Sequence, residues 1–392
     1  MITLDTCKFQ MTMKPVSIFL LAFLILSGCG SKSTESVSKQ MAERIIKQCS
    51  IQPGERVLMM VQPGKFDSLV FHLNKLLGQA GAVNLGVLNV DSIPTPAGWE
   101  TDFTKSIQGK SKEELVSLFD DVDLGLMLPG ATPDQVPYAA LQEVLKKGKG
   151  RTVHFHWSGL YNFEGLAIDV DSLSARIYEN AVLNTDYARL SKLQDEFEAA
   201  LRAKGGRIIA PEGTDLTFKI GDRNVTKQNG DASMARAKNG KVLIDREIEL
   251  PAGAIRVAPI EESVEGTVII QDSQWRGQTV RGLRLRFSQG KAVDVEVQDG
   301  MKNVFEELRS AGENATMFRE IAVGFNPLLE VPLDRAIIPY YGYGAGVVRV
   351  SLGDNTELGG KVTGGYVRWN MLVNATVIVG DEVWIENGRL KK

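Results

Sequence analysis

The order of helices and strands is the feature that most constrains the fold of this chain. Up to about residue 206, helical segments alternate with short apolar strands, whereas strands joined by glycine-rich turns dominate from residue 207 onward. Strands separated by helices of about 10–15 residues indicate a parallel sheet with crossover helices. We therefore predict an α/β N-terminal domain with a mainly parallel sheet over residues 38–206, and a β-rich α+β domain over residues 207–392.

The apolar periodicity also predicts the individual elements. Helices are predicted over residues 37–49, 66–81, 111–119, 133–147, 186–203 and 303–311. Strands of the first domain are predicted over residues 56–61, 83–90, 124–128 and 152–157. Strands of the second domain are predicted over residues 207–210, 216–220, 241–244, 267–271, 283–287, 292–297, 347–352, 366–373, 376–379 and 382–386. Ser111, with Glu114 three residues later, has the spacing of a helix capping box.

Composition excludes several classes of protein. Hydrophobic residues make up 43% and charged residues 24% of the 392 residues, which excludes a disordered chain, a collagen-like chain and a polytopic membrane protein. The net charge of −3 gives no electrostatic reason to expect a nucleic-acid partner. Three cysteines exclude a disulfide-stapled scaffold, and three histidines leave few imidazole ligands for a metal.

The N-terminus has the pattern of a signal peptide. Lys14 precedes an uncharged apolar run over residues 16–26, which is too short to span a bilayer as a helix. The run ends in Leu26-Ser27-Gly28-Cys29, which resembles the lipobox of bacterial lipoproteins. The resemblance implies a signal peptide over residues 1–28 and acylation of Cys29. Met13-Lys14 offers a second start, and initiation there would make residues 1–12 an overlong start. The alternative is an ordinary signal peptide that happens to contain a cysteine.

The residues after Cys29 suggest where the protein resides. Gly30, rather than an aspartate, follows the cysteine, which by analogy with enteric lipoproteins favours the outer membrane. Residues 29–37 form a polar tether between the lipid and the fold. We therefore expect a lipid-anchored protein of the bacterial cell envelope, with the membrane as a partner through its lipid. Cys49 would then be the one free thiol, buried in the first helix.

Few residues of the first domain suggest chemistry on their own. His154 and His156 lie two apart on a predicted strand, so both imidazoles face one side and could share a metal. The alternative is a pair of partly exposed histidines at a strand end. Gly342-Tyr343-Gly344 is more typical of a turn than of a phosphate loop, and Asp120-Asp121 is typical of a solvated helix end.

Several motifs of the second half occur in an order and spacing that resemble a known family. They occupy residues 213–217, 250–259, 266–267, 318–326, 346–353 and 368–371. Together they resemble the thermophilic-metallopeptidase family of aminopeptidases, whose type member is aminopeptidase T. The resemblance covers residues 38–392. It implies an α/β domain followed by a domain that carries two divalent metal ions such as zinc or cobalt, usually in a homodimer.

Most functional positions that the resemblance implies are occupied by other residue types here. One metal-binding glutamate is retained as Glu320. The other family positions, two glutamates, a histidine, a tyrosine, a second histidine and an aspartate, fall in that order on Ala254, Gly344, Arg349, Thr356, Arg368 and Asn370. One of seven positions therefore keeps its family residue.

These substitutions predict a loss of metal binding. Divalent ions bind carboxylates and neutral imidazoles, whereas arginine stays protonated and has no lone pair to donate. Without a metal, no bound water reaches a pKa near 7, so the hydrolytic nucleophile is missing. The loop carboxylates Glu261, Glu262 and Glu265 are the alternative source of a replacement metal site.

The substitutions share a direction from cation binding toward anion binding. Arg349, Arg368 and Asn370 are therefore candidates for an anion site that takes a small molecule or a peptide, because a guanidinium group binds carboxylate or phosphate in a bidentate manner. The alternative is that the arginines form a structural ion network with Glu320. The predicted function is a lipid-anchored aminopeptidase T-like protein without metallopeptidase activity and without a cofactor. The alternative function is an active metal-dependent aminopeptidase.

Overall fold

A computed structural model describes residues 34–392, so the predicted signal peptide, Cys29 and the start of the tether lie outside the described residues. The first part of the chain forms α1 (Thr34–Cys49), β1 (Arg56–Val61), α2 (Asp67–Gln79), β2 (Val83–Asn89), α3 (Asp102–Ser106), α4 (Lys112–Leu118), β3 (Leu124–Met127), α5 (Val136–Lys146), β4 (Arg151–His154), β5 (Leu160–Asn162), β6 (Ala167–Ile168), α6 (Ser172–Asn184) and α7 (Tyr187–Lys204).

The second part of the chain is dominated by strands. It forms β7 (Gly206–Ile209), β8 (Asp215–Phe218), β9 (Val225–Lys227), α8 (Met234–Asn239), β10 (Glu247–Glu249), β11 (Ala254–Val257), β12 (Glu265–Trp275), β13 (Gln278–Ser288), β14 (Lys291–Glu296), α9 (Met301–Ala311), β15 (Phe318–Gly324), β16 (Ile337–Ile338), β17 (Val348–Gly353), β18 (Val367–Leu372), β19 (Thr376–Val379), β20 (Glu382–Glu386) and β21 (Arg389–Leu390).

The first sheet is parallel throughout, in the order β10-β4-β3-β1-β2. Four of its strands come from the first part of the chain, and helices connect them as the alternating pattern predicts. The fifth strand, β10, returns from the second part and pairs with β4, so that Ile248 lies opposite Val153. The parallel α/β prediction is confirmed, while the predicted boundary at residues 206 and 207 remains a prediction.

The second part builds two antiparallel sheets. The second sheet has the order β18-β17-β15-β11-β9, and an eight-stranded sheet has the order β14-β13-β12-β8-β7-β19-β20-β21. A small sheet of β16, β5 and β6 joins the two parts. This arrangement confirms the predicted β-rich second half.

The two faces of the second sheet differ in chemistry. Ile255, Ile321 and Val350 lie on one face and pack into the main hydrophobic core. Because side chains alternate along a strand, their neighbours Arg256 and Arg349 point to the other side. We call the first side the core face and the second the polar face.

Some local predictions are confirmed and one is wrong. Ser111 Oγ accepts a hydrogen bond from the Glu114 backbone N–H at 3.3 Å, and the Glu114 carboxylate accepts from the Ser111 N–H at 2.9 Å, as the capping-box spacing predicts. The strand predicted over residues 241–244 is instead a tight 3₁₀ turn at Leu243–Asp245. The Asp245 carboxylate closes that turn, because it accepts a hydrogen bond from the Lys241 N–H at 2.9 Å.

The first helix carries the predicted free thiol. Cys49 is its last residue and is fully buried, and burial raises the pKa of the thiol to about 12. None of the helices between residues 34 and 392 combines the length and apolar character needed to cross a bilayer.

Candidate functional site

A cavity of about 330 Å³ separates the first sheet from the polar face of the second sheet. It opens at the carboxyl ends of β3, β4 and β10, where ligand sites of parallel α/β sheets usually form. We call this cavity the cleft. It is lined by Gly130, Ala131, Thr132, Pro133, Tyr138, Gln142, His154, His156, Ser158, Glu247, Glu249, Arg256, Tyr341, Tyr343, Arg349, Glu357 and Trp369.

Glu320 is buried on the polar face and is surrounded by three arginines. Arg256 donates from Nε to Glu320 Oε1 at 2.6 Å and from Nη2 to Oε2 at 3.3 Å. Arg349 donates from Nη2 to the same Oε1 at 2.9 Å, and Arg319 Nε lies 3.5 Å from Oε2. Burial alone would raise the pKa of Glu320, but the charges of the three guanidinium groups outweigh it and hold this pKa well below its usual range. Glu320 is therefore ionised and serves as the counterion of what we call the arginine cluster, which consists of Arg256, Arg319 and Arg349.

A backbone bulge concentrates these charges. The pairing of β15 with β17 shifts register between Phe318 and Glu320, which inserts one extra residue at this point. Phe318 packs into the main core, while Arg319 reaches Glu357 and the backbone carbonyl of Asp354. Two consecutive residues of a regular strand would point to opposite faces, but the bulge allows Arg319 and Glu320 both to join the arginine cluster with its counterion.

The described residues do not fit a pair of divalent metal ions. No three histidine, cysteine, aspartate or glutamate side chains between residues 34 and 392 are grouped so that they could hold a metal ion. The oxygen atoms of Glu320 already accept hydrogen bonds from arginines, which have no lone pair to offer a metal. The arrangement is suited to charge balance between guanidinium and carboxylate groups.

The two histidines of β4 lie side by side, as the strand spacing predicts. The ring centroids of His154 and His156 are 4.9 Å apart. His154 is buried, which corrects the expectation of a partly exposed histidine at this position, whereas His156 is half-buried. His154 Nδ1 lies 3.3 Å from Glu249 Oε1, and His154 Nε2 lies 3.0 Å from Thr152 Oγ1. Both ring nitrogens of His154 are thus engaged by protein groups instead of a metal.

The two carboxylates of β10, Glu247 and Glu249, influence the protonation of His154 and His156. Burial opposes protonation of His154, but the hydrogen bond and charge of Glu249, with the charge of Glu247, raise the pKa of His154. Burial also works against the charge of Glu249, but its hydrogen bond to His154 lowers the pKa of Glu249. Burial raises the pKa of Glu247. For His156, burial and the nearby charge of His154 lower the pKa to about 4.

Glu247, Glu249 and Arg256 are site residues that the sequence analysis missed. Arg256 lies two residues after Ala254 on β11 and therefore shares its face, a signal that the sequence does contain. The two glutamates flank Ile248 in an alternating pattern, but nothing local indicates that β10 pairs with β4 beside His154.

Two strained loops close one side of the cleft. Trp157, Tyr340 and Tyr341 have φ angles of 54°, 37° and 56°, in the left-handed region that non-glycine residues rarely adopt. The loops are bonded to each other, because the Tyr341 N–H donates to the Gly159 carbonyl at 2.7 Å and the Tyr341 and Ser158 hydroxyls lie 2.8 Å apart. Strained backbone of this kind clusters at ligand sites, at a cost of about 1–3 kcal/mol per residue.

Comparison with known proteins finds a similarity in the central segment. Residues 184–329 match the sequence model of a family described as thermophilic metalloprotease (M29). The match confirms the predicted resemblance, and it includes Ala254 and Glu320 but ends before Arg349. No protein of curated function matches the chain in sequence.

Solved structures share the fold of the whole described chain. Wild-type AmpT from Thermus thermophilus superposes with a TM-score of 0.59 at 18% identity, covering 90% of this chain and 98% of AmpT. The 2,5-dihydroxypyridine dioxygenase from Pseudomonas putida KT2440 superposes with a TM-score of 0.60 at 15% identity, covering 91% of this chain and 98% of the dioxygenase. The aminopeptidase T-like fold class is therefore confirmed.

One of the predicted M29 metal positions has no room even for a Cβ atom, and another is buried among aromatic rings. Ala254 is fully buried beside Tyr340 and Tyr343. At Gly344, an added Cβ would lie 1.8 Å from the backbone carbonyl oxygen of Leu329. A glutamate at residue 344 would require the M29-like backbone to move.

Arg368 and Asn370 lie on the core face, not in the cleft. Arg368 is paired with Leu352 across β17 and β18, and Asn370 is paired with Val350. Arg368 Nη1 donates to Glu307 Oε1 at 2.7 Å, and its guanidinium carbon lies 3.4 Å from the centre of the Trp275 ring. The structure therefore does not bring the predicted trio of Arg349, Arg368 and Asn370 together.

The remaining predicted positions also lie apart from the cleft. Thr356 is exposed, and its hydroxyl donates to Asp354 Oδ1 at 2.6 Å. Asp120 forms an ion pair with Lys149 at the surface. Glu261 is buried and accepts hydrogen bonds from Asn355 Nδ2 at 3.1 Å and from the Lys361 N–H at 3.0 Å, while Glu265 accepts from the Gln289 N–H at 2.8 Å. The loop carboxylates Glu261, Glu262 and Glu265 thus form no metal-holding group among residues 34–392.

Proposed function

We propose that this chain is a lipid-anchored protein of M29 fold that binds an anionic ligand in the cleft and does not act as a metallopeptidase. The observation that carries the proposal is the occupation of Glu320 Oε1 by Arg256 Nε at 2.6 Å and by Arg349 Nη2 at 2.9 Å. Glu320 is the one predicted metal ligand that the chain retains, and it already accepts three hydrogen bonds from arginines.

A metal ion would have to displace these guanidinium groups. Breaking a buried ion pair costs roughly 3–5 kcal/mol because a charge remains without its partner. A divalent cation would also be repelled by Arg256 and Arg349, which remain protonated. Glu320 therefore stabilises the arginine cluster better than it would hold zinc or cobalt.

The charge balance of the polar face favours an anion. The arginine cluster carries three positive charges, while Glu320 and Glu357 supply two negative charges. One positive charge is left over, and Arg256 and Arg349 both line the cleft. An anionic group in the cleft would neutralise this excess.

Metal analysis combined with an activity assay tests the proposal. The purified protein is analysed for bound metal and incubated with leucine- and alanine-linked chromogenic amides in the presence of zinc or cobalt. We expect no stoichiometric metal and no turnover. Turnover that EDTA abolishes and that Glu320→Gln removes would overturn the proposal.

The alternative is an active metal-dependent aminopeptidase with relocated ligands. The M29 match over residues 184–329 is the observation that favours it. About two bound zinc or cobalt ions per chain would support this alternative, whereas a metal-free protein stabilised by anions would support ours.

Anchoring by lipid is a separate part of the proposal, and it rests on the apolar run before Cys29. Each buried methylene of an acyl chain contributes about 0.8 kcal/mol to membrane binding, so several chains hold a protein firmly. Cys29→Ser should release the protein from membranes or leave it uncleaved. If Cys29→Ser fractionates with membranes and has the same mature mass as the unmodified protein, the anchor is contradicted.

The outer-membrane location and a homodimer are proposed by resemblance. Membrane fractionation tests the location, and light scattering tests the dimer.

A further inference from the structure

The apolar surface of the cleft consists mainly of ring faces. Six aromatic rings line it, and no leucine, isoleucine or valine belongs to its lining. These rings belong to Tyr138, His154, His156, Tyr341, Tyr343 and Trp369. Flat aromatic surfaces form offset-stacked and edge-to-face contacts with other rings, which add about 0.5–1.5 kcal/mol beyond the area they bury. A flat ligand would match these walls better than a branched aliphatic one.

Two residues that line the cleft have buried hydrogen-bond donors without acceptors. The guanidinium carbon of Arg349 lies 4.3 Å from the centre of the Trp369 ring. Arg349 Nη1 donates to the Tyr341 carbonyl at 3.0 Å and Nη2 donates to Glu320, but Arg349 Nε and Trp369 Nε1 are buried and donate to no residue in the described part of the chain. A buried donor without an acceptor costs about 1–3 kcal/mol. The two oxygens of a carboxylate would supply an acceptor for each nitrogen.

The opposite wall of the cleft tolerates one negative charge. His154 and Glu249 form an ion pair at 3.3 Å whose charges cancel when the imidazole is protonated. Glu247 is buried and accepts from Gln142 Nε2 at 2.8 Å, and its burial favours the neutral carboxylic acid. When His154 is protonated and Glu247 is neutral, this wall adds no net charge to the single excess positive charge of the arginine cluster.

We propose that the cleft binds a small aromatic carboxylate, with the carboxylate at Arg349 and Trp369 and the ring against the tyrosines. This inference rests on the proposed function, because it names the ligand class of the same cleft. The aromatic rings would favour a flat ligand, and the unpartnered donors would orient its carboxylate. The excess positive charge would balance the charge of the anionic group.

Three probes of similar size separate the parts of this inference. Benzoate has both ring and charge, cyclohexanecarboxylate keeps the charge without an aromatic ring, and benzamide keeps the ring without the charge. We expect calorimetry and thermal unfolding to show saturable binding of benzoate. Cyclohexanecarboxylate and benzamide should each bind at least about tenfold more weakly, a difference of about 1.4 kcal/mol.

The pattern of failures distinguishes this inference from the proposed function. Equal binding of benzoate and cyclohexanecarboxylate would overturn the aromatic ligand class but would support anion binding. Equal binding of benzoate and benzamide, or binding of none of the probes, would overturn both.

Variants on the two faces of the second sheet provide the matched control. Arg349→Met should weaken benzoate binding by about tenfold or more, whereas Arg368→Met makes the same charge change on the core face and should leave binding within about twofold. Because Arg349→Met also removes a partner of Glu320, Trp369→Phe is the second variant. It keeps an aromatic ring but loses the Nε1 donor, so it should weaken the binding of benzoate and of cyclohexanecarboxylate alike. Benzoate binding unchanged in Trp369→Phe, or equally weakened in Arg368→Met, would overturn the assignment.

Discussion

Two arginines of adjacent strands stack on tryptophans on opposite faces of the same sheet. Arg349 lies over Trp369 on the polar face, and Arg368 lies over Trp275 on the core face. Each arginine also forms an ion pair with a glutamate. The residue types are the same, so any difference in role comes from the surroundings.

The surroundings differ in burial and in charge balance. Glu320 is fully buried and serves three arginines, whereas Glu307 retains 19% of its side-chain exposure and pairs with Arg368 alone. The core-face pair is therefore balanced and rests against the eight-stranded sheet. The polar-face group has an excess positive charge beside a cavity. This difference is why we assign the core-face pair a structural role and propose that an anion binds at the polar-face group.

The largest expected effect concerns the two glutamates. Glu320→Gln should lower the free energy of unfolding by roughly 3–5 kcal/mol, because it leaves buried guanidinium groups without their counterion. Glu307→Gln should cost less, because its ion pair involves a single arginine and both partners are partly exposed. Urea unfolding of both variants measures the difference. Equal losses would mean that the two faces do not differ in their dependence on charge.

The second effect concerns stabilisation by an anion. A ligand at 100 times its dissociation constant stabilises a protein by about 2.7 kcal/mol, which corresponds to a shift of a few degrees in Tm for a chain of this size. Benzoate at this concentration should raise the Tm of the unmodified chain and of Arg368→Met, and it should raise the Tm of Arg349→Met by about half as much or less, because binding to that variant is about tenfold weaker or more. Loss of the shift in both variants would remove the distinction between the faces.

The third effect is a dependence of stability on pH. His154 is faced by Glu247, Glu249, Arg256 and His156, and the glutamates raise its pKa despite burial. A raised pKa means that protonation stabilises the folded chain. This contribution to stability is complete below the pKa of about 6.5 in the unfolded chain, and it is lost as the pH rises through the higher pKa of the folded chain. The unmodified chain should therefore lose stability above about pH 6.5, and His154→Gln should not show this loss. Urea unfolding at several pH values measures the difference. An identical pH profile in the variant would contradict this assignment.

The smallest effect is expected at Thr356, a predicted family position that lies outside the cleft. Thr356→Ala should change the free energy of unfolding by about 0.5 kcal/mol or less, since the residue is exposed and loses one hydrogen bond to Asp354. Benzoate binding should be unchanged. A clear loss of binding would place Thr356 in the site and extend the polar-face region beyond the cleft.

Local patterns accounted for much of the fold but for less of the site. The alternation of helices and strands predicted the parallel sheet, and the spacing of Ser111 and Glu114 predicted a capping box that the structure contains. The spacing of His154 and His156 placed both rings on one side. The strand predicted over residues 241–244 failed because the side chain of Asp245 closes a turn there.

The amino-acid sequence by itself determined the fold class, through the period of its apolar residues, and it placed arginines where a metal ligand was expected. Only the tertiary structure decided that Arg256 and Arg349 share Glu320, that β10 brings Glu249 to His154, and that Arg368 points into the core. The physical reason is strand register. A shift of one residue in the pairing of β17 with β18 would move every side chain of β18 to the other face, and no local pattern specifies that pairing.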